Sequence, residues 1–262
     1  MADFVYPPVI VAIKSLWRAL GLKFTVYGEA HIPREGGAIL AINHVGYLDF
    51  AIAGTAALPV NRYVRFMAKK EIFDNKIAGP LMRGMHHISV DRSNGSASFV
   101  AALRALRAGE IVGIFPEGTI SRSFEIKELK TGAVRLAMGS SVPVIPTIVW
   151  GSQRIYSKRM KRNFKRNNFP ITVAFGDPFF VERGSDVDAA EAELKNRLVD
   201  LLHFVQDRYP DSHVGQRWAP ARLGGTAPTL EEAAQEHAEF VARKRAEQEA
   251  KLKQNPEKNE DE

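Results

Sequence analysis

The sequence predicts an α/β protein. Its expected architecture is a mostly parallel central sheet flanked by helices, with an amphipathic helix at the N-terminus and a helical C-terminal tail. Three observations lead there. Short apolar runs recur at strand length, helix-like segments separate several of them, and composition changes after residue 211. A chain of 262 residues that is 45% hydrophobic and 25% charged can bury one sizeable core and still carry an appended segment.

The elements follow in order. After Pro7 and Pro8, the residues Val9, Ile13, Leu16, Trp17 and Leu20 recur at helical spacing, with Lys14, Ser15 and Arg18 towards the other side. Such a helix either packs on its own core or lies in a membrane interface, with Trp17 at headgroup level. Strands are expected at Lys23–Tyr27, Ala38–Asn43, Tyr63–Ala68, His87–Val90, Ile111–Phe115, Val144–Val149 and Ile171–Phe175. Helices are expected over Ser96–Ala108, with Gly109 as C-cap, and over Val187–Tyr209. Residues 212–228, rich in Gly, Pro and Ala, read as a linker. Thr229 and Glu232 then match a capping box that opens a largely polar helix, and NPEKNEDE reads as a disordered end. The division is therefore 1–22, a membrane-associating segment; 23–211, the main domain; and 212–262, linker, polar helix and tail.

Of the 36 Lys+Arg and 30 Asp+Glu, 8 and 10 fall in 212–262, which leaves the first 211 residues at a formal +8. A basic body calls for an anionic partner: nucleic acid, a phosphorylated small molecule or an acidic membrane surface. The absence of cysteine excludes disulfides, thiolate metal sites and cysteine nucleophiles, and fits a reducing compartment. No run approaches the roughly 18 apolar residues of a spanning helix. The opening MADFVYPPVIVAIKSLWRAL has no basic n-region and carries Lys14 and Arg18 inside its apolar part, so it is a poor signal peptide.

Asp49 follows His44 by five positions in INHVGYLDF. On one ideal helix the two side chains would point about 140° apart. They meet only if His44 lies at a strand end or in a turn and Asp49 lies in the first helical turn, with Gly46 allowing the bend. A carboxylate on Nδ1 then fixes the imidazole tautomer and leaves Nε2 as a base. With no serine in the motif and no cysteine, a substrate hydroxyl activated by the base is one candidate nucleophile. The bland alternative is a buried histidine near a helix start.

Other segments offer anion ligands. Pro116-Glu117-Gly118-Thr119 follows a strand and exposes amides that suit a phosphate or a polarised carbonyl, or else forms a plain surface turn. Glu117 beside a phosphate requires a balancing cation. Val90-Asp91-Arg92 supplies an arginine fork, or a strand-end ion pair through Asp91. Lys130-Thr131-Gly132 opens a further helix whose N-terminus favours anions. SQRIYSKRMKRNFKRNNFP contains Lys158, Arg159, Lys161 and Arg162 among seven cations and no acid. Its interleaved aromatic and apolar residues suit a membrane interface, ahead of single-stranded nucleic acid or a solvated loop.

Taken in order, Asn43-His44-x4-Asp49, Val90-Asp91-Arg92, Phe115-Pro116-Glu117-Gly118-Thr119 and Val142-Pro143-Val144-Ile145-Pro146 resemble the four blocks of the glycerolipid acyltransferase family, most closely its bacterial 1-acylglycerol-3-phosphate branch. The similarity spans about Phe24 to Phe180. It implies a glycerolphosphate acyltransferase-like fold at the cytoplasmic face of the membrane, peripheral or monotopic. It also implies transfer of an acyl chain from acyl-CoA or acyl carrier protein to the free hydroxyl of lysophosphatidate, giving phosphatidate. His44 is then the base and Asp49 its orienting carboxylate. Arg92, Glu117, Gly118 and Thr119 fall on acceptor-binding blocks, and Lys130 on a downstream basic position. No metal, cofactor or covalent intermediate is implied. The partners are a lysophospholipid, the acyl donor and an anionic membrane surface met by Trp17, Lys158, Arg159, Lys161 and Arg162; no nucleic acid is expected. Two positions depart from the pattern. Gly46 stands where serine is frequent, and Ile120 where an arginine commonly follows, with Arg122 two residues on. The acceptor thus stays open among lysophosphatidate, glycerol 3-phosphate, another lysophospholipid and a glycolipid. A non-catalytic lipid-binding protein and a thioester hydrolase are the competing classes.

Overall fold

The computed structural model describes residues 3–91 and 95–254. The chain runs α1 (Tyr6–Leu20), β1 (Lys23–Tyr27), β2 (Ala38–Ile42), α2 (Asp49–Ala57), β3 (Val64–Lys69), α3 (Lys70–Phe73), α4 (Ala78–Gly84) and β4 (Ile88–Val90). It continues with α5 (Gly95–Arg107), β5 (Ile111–Ile114), α6 (Gly132–Ser140), β6 (Val144–Trp150), β7 (Pro170–Phe175), α7 (Val187–Asp207) and α8 (Leu230–Gln254). Among the described residues the strands form one seven-stranded sheet, ordered β1-β7-β6-β2-β5-β3-β4. All neighbours are parallel except β6 and β7.

The central strand β2 explains the layering. All five of its residues are buried, and its alternating side chains enter two separate cores. Ile39 and Ala41 pack with Leu106 of α5, Leu136 of α6 and Leu194, Leu198 and Leu202 of α7. Ala38, Leu40 and Ile42 pack on the opposite face with Trp17 and Leu20 of α1 and Ile52 and Ala53 of α2. A strand covered on both faces reads in sequence as an unbroken apolar run, as AILAI does.

Two sequence expectations require correction. Trp17 does not face outward: it is 4% exposed, and its indole N–H donates to Thr55 Oγ1 at 3.0 Å. Helical spacing alone left both sides of α1 available. The small residues of α2 provide the slot that takes the indole, while Val11 and Leu16 are the large apolar residues left exposed on α1. Residues 212–228 are not a free linker either. Trp218 and Ala219 are buried, the Trp218 carbonyl accepts from Gln153 Nε2 at 3.3 Å, and Arg154 lies 4.4 Å above the Trp218 ring. The glycines serve packing here. Gly224 adopts φ +74°, and a Cβ on Gly225 would run into the Ala219 carbonyl. The capping box of α8 is present, with Glu232 N–H donating to Thr229 Oγ1 at 3.2 Å and Thr229 N–H to Glu232 at 2.8 Å.

Candidate active site

β2 ends at Ile42 and Asn43 extends it with side-chain bonds. The Asn43 N–H donates to the Thr147 carbonyl at 3.1 Å. Its side-chain amide donates to the Val149 carbonyl at 3.2 Å and accepts the Val149 N–H at 2.7 Å. The chain is thus pinned to β6 one residue before His44. The turn from 44 to 48 then delivers Asp49 as the first residue of α2.

His44 and Asp49 meet across that turn, as the helical geometry required. His44 Nδ1 lies 3.0 Å from Asp49 Oδ2. The same oxygen accepts the Val45 N–H at 2.8 Å and the Gly46 N–H at 2.9 Å, while Oδ1 accepts the Ser152 hydroxyl at 2.5 Å. Asp49 is fully buried, so its carboxylate is stabilised by these donors and by the N-terminus of α2 instead of by water. A carboxylate with no proton of its own makes Nδ1 the donor, which leaves Nε2 as an acceptor. The imidazole is 20% exposed and lies against Phe115, with ring centroids 4.3 Å apart. A base of this kind can take a proton from a hydroxyl placed at Nε2. Glycine at 46 also has a local reason: a Cβ there would stand 2.9 Å from Ser152 Oγ and 3.2 Å from Asp49 Oδ1.

Glu117 points inward. It is 5% exposed, and its carboxylate accepts the His44 backbone N–H at 2.8 Å and the Lys127 N–H at 3.3 Å. Burial pushes its carboxyl up to about 7 from an ordinary 4.5, against the opposing pull of Lys127 and the two backbone amides. The Ser121 N–H donates to the His44 carbonyl at 2.7 Å, so the turn around Glu117 grips the backbone of the base from two sides. Gly118 adopts φ +68°, and a Cβ there would also press on Lys130, whose Cε would lie 3.0 Å away. Lys127 Nζ donates to Thr119 Oγ1 at 2.8 Å.

A cavity of about 800 Å³ opens beside His44. Its body is apolar, walled by Val9, Ile10 and Ile13 of α1, Phe50, Ala51 and Gly54 of α2, Phe66 of β3 and Met82 of α4. Its polar lining includes Tyr47, Thr55, Lys69, Thr119, Lys130 and Lys158. His87 also lines it and stays neutral, since burial, with smaller contributions from Arg65 and His86, pushes it down to about 4. Its Nδ1 accepts the Phe66 N–H at 3.1 Å.

The structure therefore brings together His44, Asp49, Glu117, Gly118, Thr119, Lys130 and Lys158. Arg92 lies outside the described residues; its neighbour Asp91 pairs with Lys70 at 3.1 Å, as the strand-end reading allowed. Arg159 is engaged by Glu236 of α8 at 3.1 Å, Arg162 lies 4.8 Å above the Tyr156 ring, and Lys161 is exposed. Trp17 is on the core side of α1. Ile120 is buried in the cavity wall, and Arg122 turns to Glu236, so neither offers the cation expected after Thr119. Sequence reasoning missed Ser152 and Lys127. Ser152 carried a signal only as the polar residue just past a strand end, and Lys127 only as a further cation after the Glu117 turn.

The acyltransferase family model matches residues 23–150. A 1-acyl-sn-glycerol-3-phosphate acyltransferase of Bacillus subtilis is 33% identical over 184 residues, covering 70% of this chain and 84% of that protein. One from Limnanthes douglasii is 30% identical over 198 residues, covering 72% of this chain and 63% of that protein. The crystal structure of the 1-acyl-sn-glycerophosphate acyltransferase PlsC from Thermotoga maritima superposes with a TM-score of 0.62 at 19% identity, over 78% of this chain and 82% of that one. The sheet, its flanking helices and the sequence relatives agree: the chain belongs to the acyltransferase family.

Proposed function

We propose that the protein transfers an acyl chain from acyl-CoA or acyl carrier protein to the free hydroxyl of lysophosphatidate, producing phosphatidate. The observation that carries this reading is a buried-carboxylate–histidine pair beside a large apolar cavity whose lining includes Lys69, Lys130 and Lys158. In the reaction, His44 Nε2 accepts the proton of the acceptor hydroxyl as its oxygen attacks the thioester carbonyl. The tetrahedral intermediate collapses, the carbon–sulfur bond breaks, and the imidazolium returns its proton to the departing thiolate. The apolar cavity suits an acyl chain, and Lys130 and Lys158 suit the acceptor phosphate. His44 and Asp49 would both be superfluous in a protein that only binds lipid.

The same reading puts the protein on the cytoplasmic face of a membrane. No helix among the described residues is long and apolar enough to cross one, so the contact proposed is peripheral or monotopic. Support comes from Ile72 and Leu81, which line the cavity and are exposed, together with the more exposed Ile77 and Phe4. Exposed Lys76 beside them suits anionic headgroups.

Purified protein, labelled acyl-CoA and acyl carrier protein, and a panel of lysophosphatidate, glycerol 3-phosphate, a second lysophospholipid and a glycolipid test the chemistry. Preferential labelling of lysophosphatidate is expected. Preference for another acceptor, or release of free fatty acid whichever acceptor is present, contradicts the proposal. For the membrane, Ile77→Asp with Leu81→Asp should abolish flotation with anionic vesicles, and glutamines at Lys158, Arg159, Lys161 and Arg162 should weaken it. Undiminished flotation of both variants contradicts the membrane assignment.

A further inference from the structure

Asp49 has two oxygens with unequal company. Oδ2 receives His44 and two backbone amides from its own turn, whereas Oδ1 receives one side chain from 103 residues away, the Ser152 hydroxyl at 2.5 Å. We infer that Ser152 is a positioning residue for the reaction, holding the Asp49 carboxylate in place and setting the pH at which His44 becomes an effective base. The inference rests on the proposed role of His44.

Three features support it. Ser152 is fully buried, so water does not compete for Oδ1. Its backbone is fixed: Gly151 takes φ +98°, a conformation in which a Cβ would strike the Pro170 carbonyl, and the Ser152 carbonyl accepts the Ile155 N–H at 3.0 Å. Its hydroxyl can only donate to the ionised carboxylate, so the bond stabilises the pair in its net negative form, with His44 neutral. Removing that donor favours the form carrying one more proton, whichever of Asp49, His44 and Glu117 holds it. Glu117 is buried, accepts the His44 N–H and faces Lys127. A residue that served only to anchor β6 to α2 would alter stability without displacing the pH dependence.

The geometry also supplies a rescue. A Cβ on Gly46 would lie 2.9 Å from Ser152 Oγ, 3.1 Å from the Ser152 carbonyl carbon and 3.2 Å from Asp49 Oδ1. A side chain there displaces the Ser152 hydroxyl and also asks the Ser152 backbone to give by a few tenths of an ångström. Gly46→Ser alone should therefore disturb the site. Combined with Ser152→Ala it should return a hydroxyl to Oδ1.

The test measures kcat/KM against pH for the wild type, Ser152→Ala, Ser152→Cys, Gly46→Ser and the Gly46→Ser/Ser152→Ala double variant. It also follows the His44 imidazole by NMR titration, with its signal assigned by its loss in His44→Ala. In Ser152→Ala the acid limb and the NMR midpoint should both move up by roughly one pH unit, leaving about ten-fold less reactive base below the limb, with the acceptor KM little changed. The weak thiol donor of Ser152→Cys, which also preserves the packed volume, should give an intermediate displacement. The double variant should restore the wild-type midpoint. An unchanged midpoint in folded Ser152→Ala or Ser152→Cys, or no recovery in the folded double variant, overturns the inference. The NMR midpoints remain readable if no acyl transfer is found, so failure of the proposed function and failure of this inference are separable.

Discussion

The turn that carries His44 and the basic rim beside it are built in opposite ways. Around His44 almost every polar atom has a partner within the chain: Asn43 on β6, Asp49 under the imidazole, Glu117 and Ser121 on the backbone. The rim consists of long side chains on loops. Lys130 and Lys158 are exposed and line the cavity, and Arg159 and Arg122 both meet one carboxylate of α8. A proton transfer requires placement within a few tenths of an ångström, and buried, fully bonded groups supply it. A phosphate requires charge nearby, and flexible cations supply that without a unique geometry. Substitutions in the turn should therefore act on kcat, and substitutions on the rim on acceptor affinity.

The largest effect is expected for Asp49→Asn. If the amide oxygen takes the Oδ2 place, the NH2 meets the Ser152 hydroxyl. If the amide is turned over, the imidazole and the Val45 and Gly46 N–H groups lose their acceptor. Either way the negative charge that stabilises the imidazolium is gone. A fall in kcat of about a thousand-fold or more is expected, by analogy with wrong-tautomer variants of carboxylate–histidine pairs. A smaller change would mean that Asp49 is structural only, and the contrast between turn and rim would collapse. Next come Lys130→Gln and Lys158→Gln. Each removes one charge-assisted contact and should raise the lysophosphatidate KM by roughly ten-fold with kcat nearly intact. Added salt should mimic these variants, because exposed charges are screened and buried pairs much less so. Steady-state kinetics at two ionic strengths separates the cases.

The smallest effect concerns Glu117 and sharpens the comparison by moving a charge inside the turn. Burial lifts its carboxyl from 4.5 to about 7 in the folded state. Between those values the folded protein keeps a proton that the unfolded chain releases. The resulting stabilisation is complete below about pH 4.5 and is lost as pH rises through 7. Glu117→Gln should flatten that part of the stability profile, measured by urea unfolding at pH 5 and pH 8. An equal fall between the two pH values in variant and wild type would assign the dependence to other groups.

Much of this was legible in the sequence because it depends on local order. AILAI reads as a doubly covered strand, and its end fell within one residue of where Asn43 takes over the pairing. The five-residue spacing of His44 and Asp49 also implied a strand-to-helix turn, which is what forms. What stayed hidden depends on which distant segments become neighbours. Ser152 reaches Asp49 only because β6 lies beside β2, and no spacing rule encodes that. Glu117 looked like an acceptor ligand because a turn after a strand commonly exposes its side chain, yet this one folds back under the histidine. Trp17 was ambiguous for the same reason, since one apolar stripe fits a bilayer or a protein core equally well. The glycines of 212–228 resemble those of a loose linker, although they permit close packing around Trp218.

The central claim is that His44 is the base. The most direct test compares labelled acyl transfer to lysophosphatidate by wild-type protein and by His44→Ala, with acyl-donor binding measured in parallel. The account predicts a loss of at least about a thousand-fold in kcat with donor affinity unchanged. Transfer that persists at the wild-type rate in a folded His44→Ala protein would contradict it.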